Sequence, residues 1–330
     1  MCFRTSDAAD LGLGAYLSVT DLALQLNSIT KRYGDFTAVE DFCIEIPKGC
    51  IYGFLGPNGA GKTTTIRMIL DIVRPTSGSL TVLGAPSALQ VRERIGYLPE
   101  EKGLYKKMKA WATIAYFGSL KGLKKAEAKK RAYELLEKYG LADFAESKIE
   151  ALSKGMGQKV QVLASIVHRP EFVILDEPFS GLDPVNQQVM EEVIRDMAAN
   201  GATILFSTHV MSHAERICDR IVLMARGRKI FDGTIPEARE TMPTRVVLDA
   251  DVTAEALEAL PGVLAAIPLV QENQADSWEI LLQEDADPQY LLQACFKSGI
   301  SLRSYDHRPP TLHDVFVHLV GDDAREAKKR

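Results

Sequence analysis

The chain has 330 residues, 46% of them hydrophobic and 25% charged, and a formal net charge of −5. This length and apolar share allow a large core and more than one domain, and exclude a disordered or low-complexity chain. The negative balance argues against a nucleic-acid binder held by a broad basic surface, and no apolar run approaches the roughly 20 residues of a membrane-crossing helix. Five cysteines, Cys2, Cys43, Cys50, Cys218 and Cys295, are odd in number and form no CxxC pair. That fits a reducing compartment better than a disulfide framework or a thiol zinc site.

Residues 1–21 show no periodicity and lack the apolar core of a signal peptide. They read as a disordered extension or an over-extended translation start. From Leu22 onward, "LALQLNSI", "FCIEI" and "CIYGFLG" are short alternating or apolar runs between turn residues, hence strands. A helix is expected at "KTTTIRMILDIV", a strand at "SLTVLG", and mostly helix over residues 108–150. The lysines of "KGLKKAEAKKRAYELLEKYG" alternate with acids on a helical pattern, which is a solvated face. The apolar strands "EFVILD" and "ATILFS" then alternate with helices, as in a parallel sheet with crossover helices.

After about residue 240 the order becomes strand "TRVVLDAD", helix "TAEALEAL", strands "VLAAIPLVQE" and "SWEILLQE", helix "PQYLLQACFKSG", strand "SLRSYD" and helix "TLHDVFVHLV". That βαββαβ order with a closing helix predicts a small ferredoxin-like α+β domain. The chain is therefore read as α/β: an extension (1–21), a main domain (22–240) with a helical part (101–150), and an accessory domain (241–330).

"GPNGAGKTT" supplies Gly56, Pro57, Asn58, Gly59, Ala60, Gly61, Lys62, Thr63 and Thr64, and fits G-x-x-x-x-G-K-[ST] with a strand before and a helix after. Glycines let backbone N–H groups wrap phosphate oxygens, Lys62 reaches the β- and γ-phosphates of ATP, and the Thr63 hydroxyl suits Mg²⁺. "FVILDEP" ends a buried strand with Asp176, suited to the Mg²⁺ shell, and Glu177, suited to polarising a water. "FSTHV" ends another strand with His209 where the γ-phosphate is expected. His209 and His213 sit four apart, but without an HExxH glutamate or a third ligand the zinc reading is rejected. "LSKGMGQKVQ" places Ser153, Lys154 and Gly155 at a helix N-terminus, a second phosphate site.

In this order the motifs resemble those of the ATP-binding subunits of ABC transporters, over roughly residues 22–235. The resemblance implies a P-loop ATPase with a parallel core sheet, an antiparallel β-subdomain and a helical subdomain. It further implies two such subunits facing head to tail, and the intact hydrolysis motifs favour a homodimer with two active sites. Ser153, Lys154, Gly155 and Met156 then form the signature that completes the opposite subunit's site, Asp183 matches the loop coupling the two sites, and Tyr33 matches the aromatic that stacks on adenine. His209 matches the switch histidine that contacts the γ-phosphate. Lys154 and Met156 replace the usual Gly and Gln of the signature, and Glu100 stands where a glutamine is usual, where it remains a hard oxygen donor for Mg²⁺.

These departures and the ending "PTLHDVFVHLV" resemble the type-two exporter branch, which includes sodium-extrusion and drug-resistance systems. That branch implies an integral membrane permease as partner, no nucleic acid, and a cytoplasmic location against the inner face of the cell membrane. Residues 101–150 would then carry the permease groove, with Trp111, Tyr116 and Phe117 as candidate lining residues or, more often for aromatics, core. The alternative is a non-transport ABC-type ATPase. It is disfavoured by a single P-loop and by the lack of a long coiled-coil insertion before the signature.

Overall fold

The structure, a computed structural model, describes residues 21–101, 103–269, 277–283 and 285–327, with side chains described as far as residue 321. The expected N-terminal extension lies outside the described residues apart from Asp21, as does the end of the "VLAAIPLVQE" run. The chain forms two compact units that divide between Thr234 and Ile235.

In the first unit, β1 (Leu22–Tyr33) pairs antiparallel with β2 (Phe36–Pro47) and β4 (Ser77–Val82), in the order β2-β1-β4. A second sheet has the order β5-β6-β7-β3-β8-β9, built from β3 (Ile51–Leu55), β5 (Ile95–Leu98), β6 (Phe172–Asp176), β7 (Thr203–Thr208), β8 (Arg220–Ala225) and β9 (Arg228–Gly233). All its neighbours are parallel except β8 and β9. Every residue of β3, β6 and β7 is buried, which explains their unbroken apolar or small character.

Helix α1 (Lys62–Ile69) lies in the core shared by the two sheets, where Ile66 and Met68 join Leu26 and Phe42 of the antiparallel sheet and Phe54 and Ile174 of the parallel one. The expected helix through Val73 is shorter because Asp71 adopts a left-handed φ of 57°. The amides of Ile72 and Val73 both return to the Arg67 carbonyl, which closes the helix.

Residues 108–150 resolve into α2 (Ala110–Leu120) and α3 (Lys125–Lys138), joined at Gly122, with short 3₁₀ turns at Ala142–Phe144 and Ile149–Ala151. Small buried residues, Ala110, Gly118, Ala128 and Ala132, permit the close packing of this pair. Trp111 stacks on Tyr133 with centroids 5.7 Å apart, whereas Tyr116 is exposed beside Tyr105 and Phe117. α4 (Lys154–Ile166), α5 (Pro184–Ala199) and α6 (Met211–Ile217) complete the unit. α5 starts as its sequence dictates, with Asp183 as N-cap and Pro184 in the first turn.

The second unit opens with α7 (Ile235–Glu240), which packs with α10 (Leu312–Ala327) and so falls before, not after, the division read at residue 240. Between them come β10 (Arg245–Ala250), α8 (Ala254–Glu258), β11 (Val263–Pro268), β12 (Ser277–Leu282), α9 (Pro288–Lys297) and β13 (Leu302–Asp306). The strands form one antiparallel sheet ordered β11-β12-β10-β13, the interleaved arrangement of a ferredoxin-like unit. Val246, Leu248, Ile280 and Leu282 from its central strands bury against Leu257 of α8 and Leu291 and Cys295 of α9.

Candidate active site

The parallel register decides where the chemistry gathers. Leu55 at the end of β3 is level with Thr208 of β7, and Asp176 at the end of β6 is level with Ser207. Three strand ends therefore deliver the phosphate loop, the Asp176–Glu177 pair and His209 to one edge of the sheet.

The loop from Gly56 to Thr64 needs its glycines for conformation and for space. Gly56 has φ 155°, and a Cβ there would lie 2.1 Å from the Met224 carbonyl oxygen. Gly61 has φ 106°, and a Cβ there would lie 2.6 Å from the Ala38 carbonyl oxygen, so β2 rests directly on the loop. Lys62 is buried, and its ammonium donates to the carbonyls of Gly56 at 2.6 Å and Pro57 at 3.2 Å. Burial pushes the Lys62 pKa below its ordinary value, while Glu177, Asp176 and Glu100 pull it back up. Those carboxylates leave an excess of negative charge near one cation, an arrangement suited to further positive charge.

Asp176 is 1% exposed and its carboxylate accepts from the Ser207 hydroxyl. That same hydroxyl accepts from the Glu177 amide at 3.3 Å, and the Ser207 carbonyl accepts from it at 3.1 Å. Glu177 is held at φ 50°, a left-handed conformation unusual for a residue with a side chain. Its carboxylate lies 2.9 Å from His209 Nδ1 and 3.9 Å from Lys62 Nζ. With the carboxylate accepting, His209 carries its hydrogen on Nδ1. His213 stays apart from this group: it is buried, its ring is 4.3 Å from that of Phe179, and burial pushes its pKa down to about 4.

These groups border a cavity of about 360 Å³ lined by Asn58, Gly59, Ala60, Gly61, Lys62, Thr63, Thr64, Glu100, Glu177, Phe36 and Ala38. Gly56, Pro57, Asp176 and His209 are not among its lining residues: Gly56 and Pro57 accept from Lys62, Asp176 accepts from Ser207, and His209 contacts the Glu177 carboxylate. Tyr33 does not line it. It pairs with Phe36 across the hairpin, and its ring has the Lys31 ammonium 5.0 Å from its centroid.

The candidate signature opens α4. Ser153 is the exposed N-cap and accepts from the Met156 amide at 3.2 Å, while Gly155 is buried against Asn186, whose amide a Cβ would meet at 2.7 Å. Lys154 folds over the Ser180–Asp183 turn, its ammonium 2.2 Å from where a Gly181 Cβ would be. Asp183 accepts from the Asn186 amide and side chain, which hold its carboxyl below the usual range.

Further along α4, buried Gln158 and Gln161 donate to the carbonyls of Pro178 and Glu101, next in sequence to Glu177 and Glu100. Sequence reading missed Phe36, Ser207 and these two glutamines. Ser207 lies inside "FSTHV" one strand away from Asp176, so only strand register identifies it. Phe36 was visible as a large apolar side chain beside a turn.

Residues 39–180 match the family ABC transporter, and residues 233–320 match the family ATP-binding protein DrrA1-3-like, C-terminal domain. The chain is 36% identical over 299 residues to the ABC transporter ATP-binding protein YhaQ of Bacillus subtilis (strain 168), covering 90% of this chain and 98% of that one. It is 33% identical over 315 residues to the daunorubicin resistance ATP-binding protein DrrA3 of Streptomyces coeruleorubidus, covering 93% and 98%. A solved ATP-binding subunit of an ABC transporter superposes with a TM-score of 0.62 at 32% identity, over 66% of this chain and 92% of that one. The chain belongs to the ATP-binding subunits of ABC transporters, in the branch that carries a DrrA-like C-terminal domain.

Proposed function

We propose that the chain is the ATP-hydrolysing motor of an exporter whose membrane-crossing path is supplied by separate permease subunits. The observation that carries this reading is the convergence of Lys62 and Glu177 on one cavity walled by the phosphate loop, with His209 held against the Glu177 carboxylate. The loop amides and Lys62 hold the triphosphate. Glu177, positioned by its strained backbone and by His209, orients a water for in-line attack on the γ-phosphate and accepts its proton. Lys62 and His209 offset the charge that develops on the transferring group, and ADP and phosphate leave.

Asp176, Thr63 and Glu100 are hard oxygen donors beside this cavity, a donor set that fits Mg²⁺ held by one or two carboxylates together with substrate phosphates. The cation, when bound, screens the phosphate charges. Signature residues Ser153, Gly155 and Met156, with Lys154 braced on Gly181, would cap the triphosphate of a second copy. Asp183 would lie at that junction.

No described helix is long and apolar enough to cross a membrane. Tyr105, Tyr116, Leu120 and Phe144 are exposed on the helical part of the first unit, which supports docking of a permease there and a cytoplasmic location at the membrane's inner face. Export is supported by relatives named for resistance and for Nod factor export. The test is Mg²⁺-dependent phosphate release by the purified chain. Glu177→Gln should lower it by about 10²- to 10⁴-fold while ATP still binds; a variant as active as the wild type would refute the assignment.

A further inference from the structure

We infer that a second cavity, at the end of the parallel sheet opposite the phosphate loop, is a regulatory site for an organic anion with an apolar body. Binding of such a molecule is argued from the cavity's own residues, whereas its effect on hydrolysis rests on the reading of the chain as an ATPase. The cavity holds about 510 Å³, against about 360 Å³ beside the phosphate loop. Both volumes suit a small molecule.

The floor is apolar. Val173 of β6, Met197 of α5, Ala202 just before β7, and Ile166 and Val167 at the end of α4 all line it, and none of the five is more than 8% exposed. The acids at the rim have cations of their own. Asp196 lies 2.8 Å from the Lys138 ammonium and accepts from the Tyr139 hydroxyl at 2.9 Å, and Glu134 has Lys130 at 3.8 Å. Arg131 is held by Glu127 at 2.6 Å.

Arg169 is left over. Its guanidinium makes no hydrogen bond or ion pair among the described residues, and the acid that feels its charge, Glu127, is the one Arg131 occupies. The turn after α4 takes a left-handed residue, which glycine supplies without strain. Here it is Arg169, at φ 58° with its amide donating to the Ile166 carbonyl, so a cation stands at the rim. An apolar floor with one uncommitted guanidinium at its edge matches an organic monoanion, an aryl or alkyl carboxylate or sulfonate.

The elements that line this cavity have their other ends at the nucleotide site. α4 runs back to Ser153, α5 back to its cap Asp183, and β6 passes from Val173 to Asp176. β7 leads from beside Ala202 to Ser207, which donates to Asp176. Packed elements shift as units more readily than they deform. A molecule wedged among α3, α4 and α5 therefore biases the signature, Asp183 and Asp176 together.

Ligand-observed NMR titration of the intact chain tests the site, with the non-hydrolysable β,γ-imido analogue of ATP present at saturation so that the phosphate loop is filled. The probes are naphthalenesulfonate, its neutral counterpart naphthylmethanol, and methanesulfonate as the anion without a body. Naphthalenesulfonate should bind with a Kd of about 1 mM or tighter. Naphthylmethanol should bind about three- to fivefold more weakly, the range of a partly exposed ion pair, and methanesulfonate not measurably. Arg169→Gln should remove that difference and leave naphthylmethanol within about twofold. Ala202→Leu fills the floor and should weaken both aromatic probes more than about tenfold. Arg169 is exposed, so its variant tests the charge in a folded chain even if Ala202→Leu proves unstable by circular dichroism.

In hydrolysis assays at saturating ATP, naphthalenesulfonate should change the wild-type rate at least about twofold. Arg169→Gln should need about three- to fivefold more probe for half the effect. A wild type that binds neither aromatic probe overturns the inference, as does a sulfonate that binds no better than the alcohol or as well to both variants. Binding with an unchanged rate overturns the regulatory role and leaves the site. A wild type that releases no phosphate removes the ATPase reading and the regulatory role together, and the NMR result still decides the site.

Discussion

Acid should weaken the first unit through His213 in particular. The residue is 7% exposed, packs on Phe179, and its Nδ1 has no hydrogen-bond partner. Burial is the main reason its pKa falls from 6.5 to about 4, and repulsion from Arg216 and His209 adds to it. Because the folded value lies below the unfolded one, the unfolded chain binds the proton first. The stability that neutral His213 permits is fully present above about pH 6.5 and is lost as the pH falls toward about 4. At about 1.4 kcal/mol per pH unit, the loss from this one residue is about 2 kcal/mol by pH 5.

His213→Phe keeps a flat ring against Phe179 and removes the titration. Urea unfolding followed by circular dichroism at pH 7 and pH 5 should show a pH-dependent loss smaller by about 2 kcal/mol in the variant than in the wild type. The comparison uses only the difference between two pH values, so any packing change from the larger ring cancels. Equal losses in the two proteins would refute the reasoning. His168, half-buried and also pushed down to about 4 by burial, supplies a parallel contribution that both proteins share.

Three further outcomes follow from the site. Gly61→Ala forces a Cβ to 2.6 Å from a backbone oxygen at a left-handed φ, so it should cost about 1–3 kcal/mol of folding stability and abolish calorimetric binding of an ATP analogue. Asp183→Ala removes the N-cap of α5 and should lower stability by about 1 kcal/mol in urea unfolding. Glu100→Gln removes one of three carboxylates around Lys62 and should shift the Mg²⁺ concentration that half-saturates ATP hydrolysis; an unchanged midpoint would dismiss Glu100 as a metal-facing group.

Much of the fold is legible because burial leaves a plain trace in sequence. β6 reads as a strand from five residues, since both of its faces are covered and only apolar side chains fit before Asp176. The accessory unit reads correctly from element order, because its strands alternate between buried and less buried positions and its helices have caps such as Asp287. The phosphate loop is legible because backbone geometry there demands glycine at fixed places. That Phe36 borders the cavity is not legible, because an apolar side chain next to a turn carries no mark of what it will face. Ser207, Gln158 and Gln161 are silent for a similar reason: their partners lie far away in the chain and are met only once strands and helices are in register.

The claim that a complete site needs two copies is tested most directly by cysteine crosslinking of the chain with its five native cysteines replaced by alanine or serine, carrying Asn58→Cys and Ser153→Cys in a Glu177→Gln background. With ATP and Mg²⁺ present, mild oxidation should yield a covalent dimer, and either single cysteine alone should give none. A product that remains monomeric with ATP, or dimers that form equally without ATP and with one cysteine, would contradict a signature that acts across the subunit boundary.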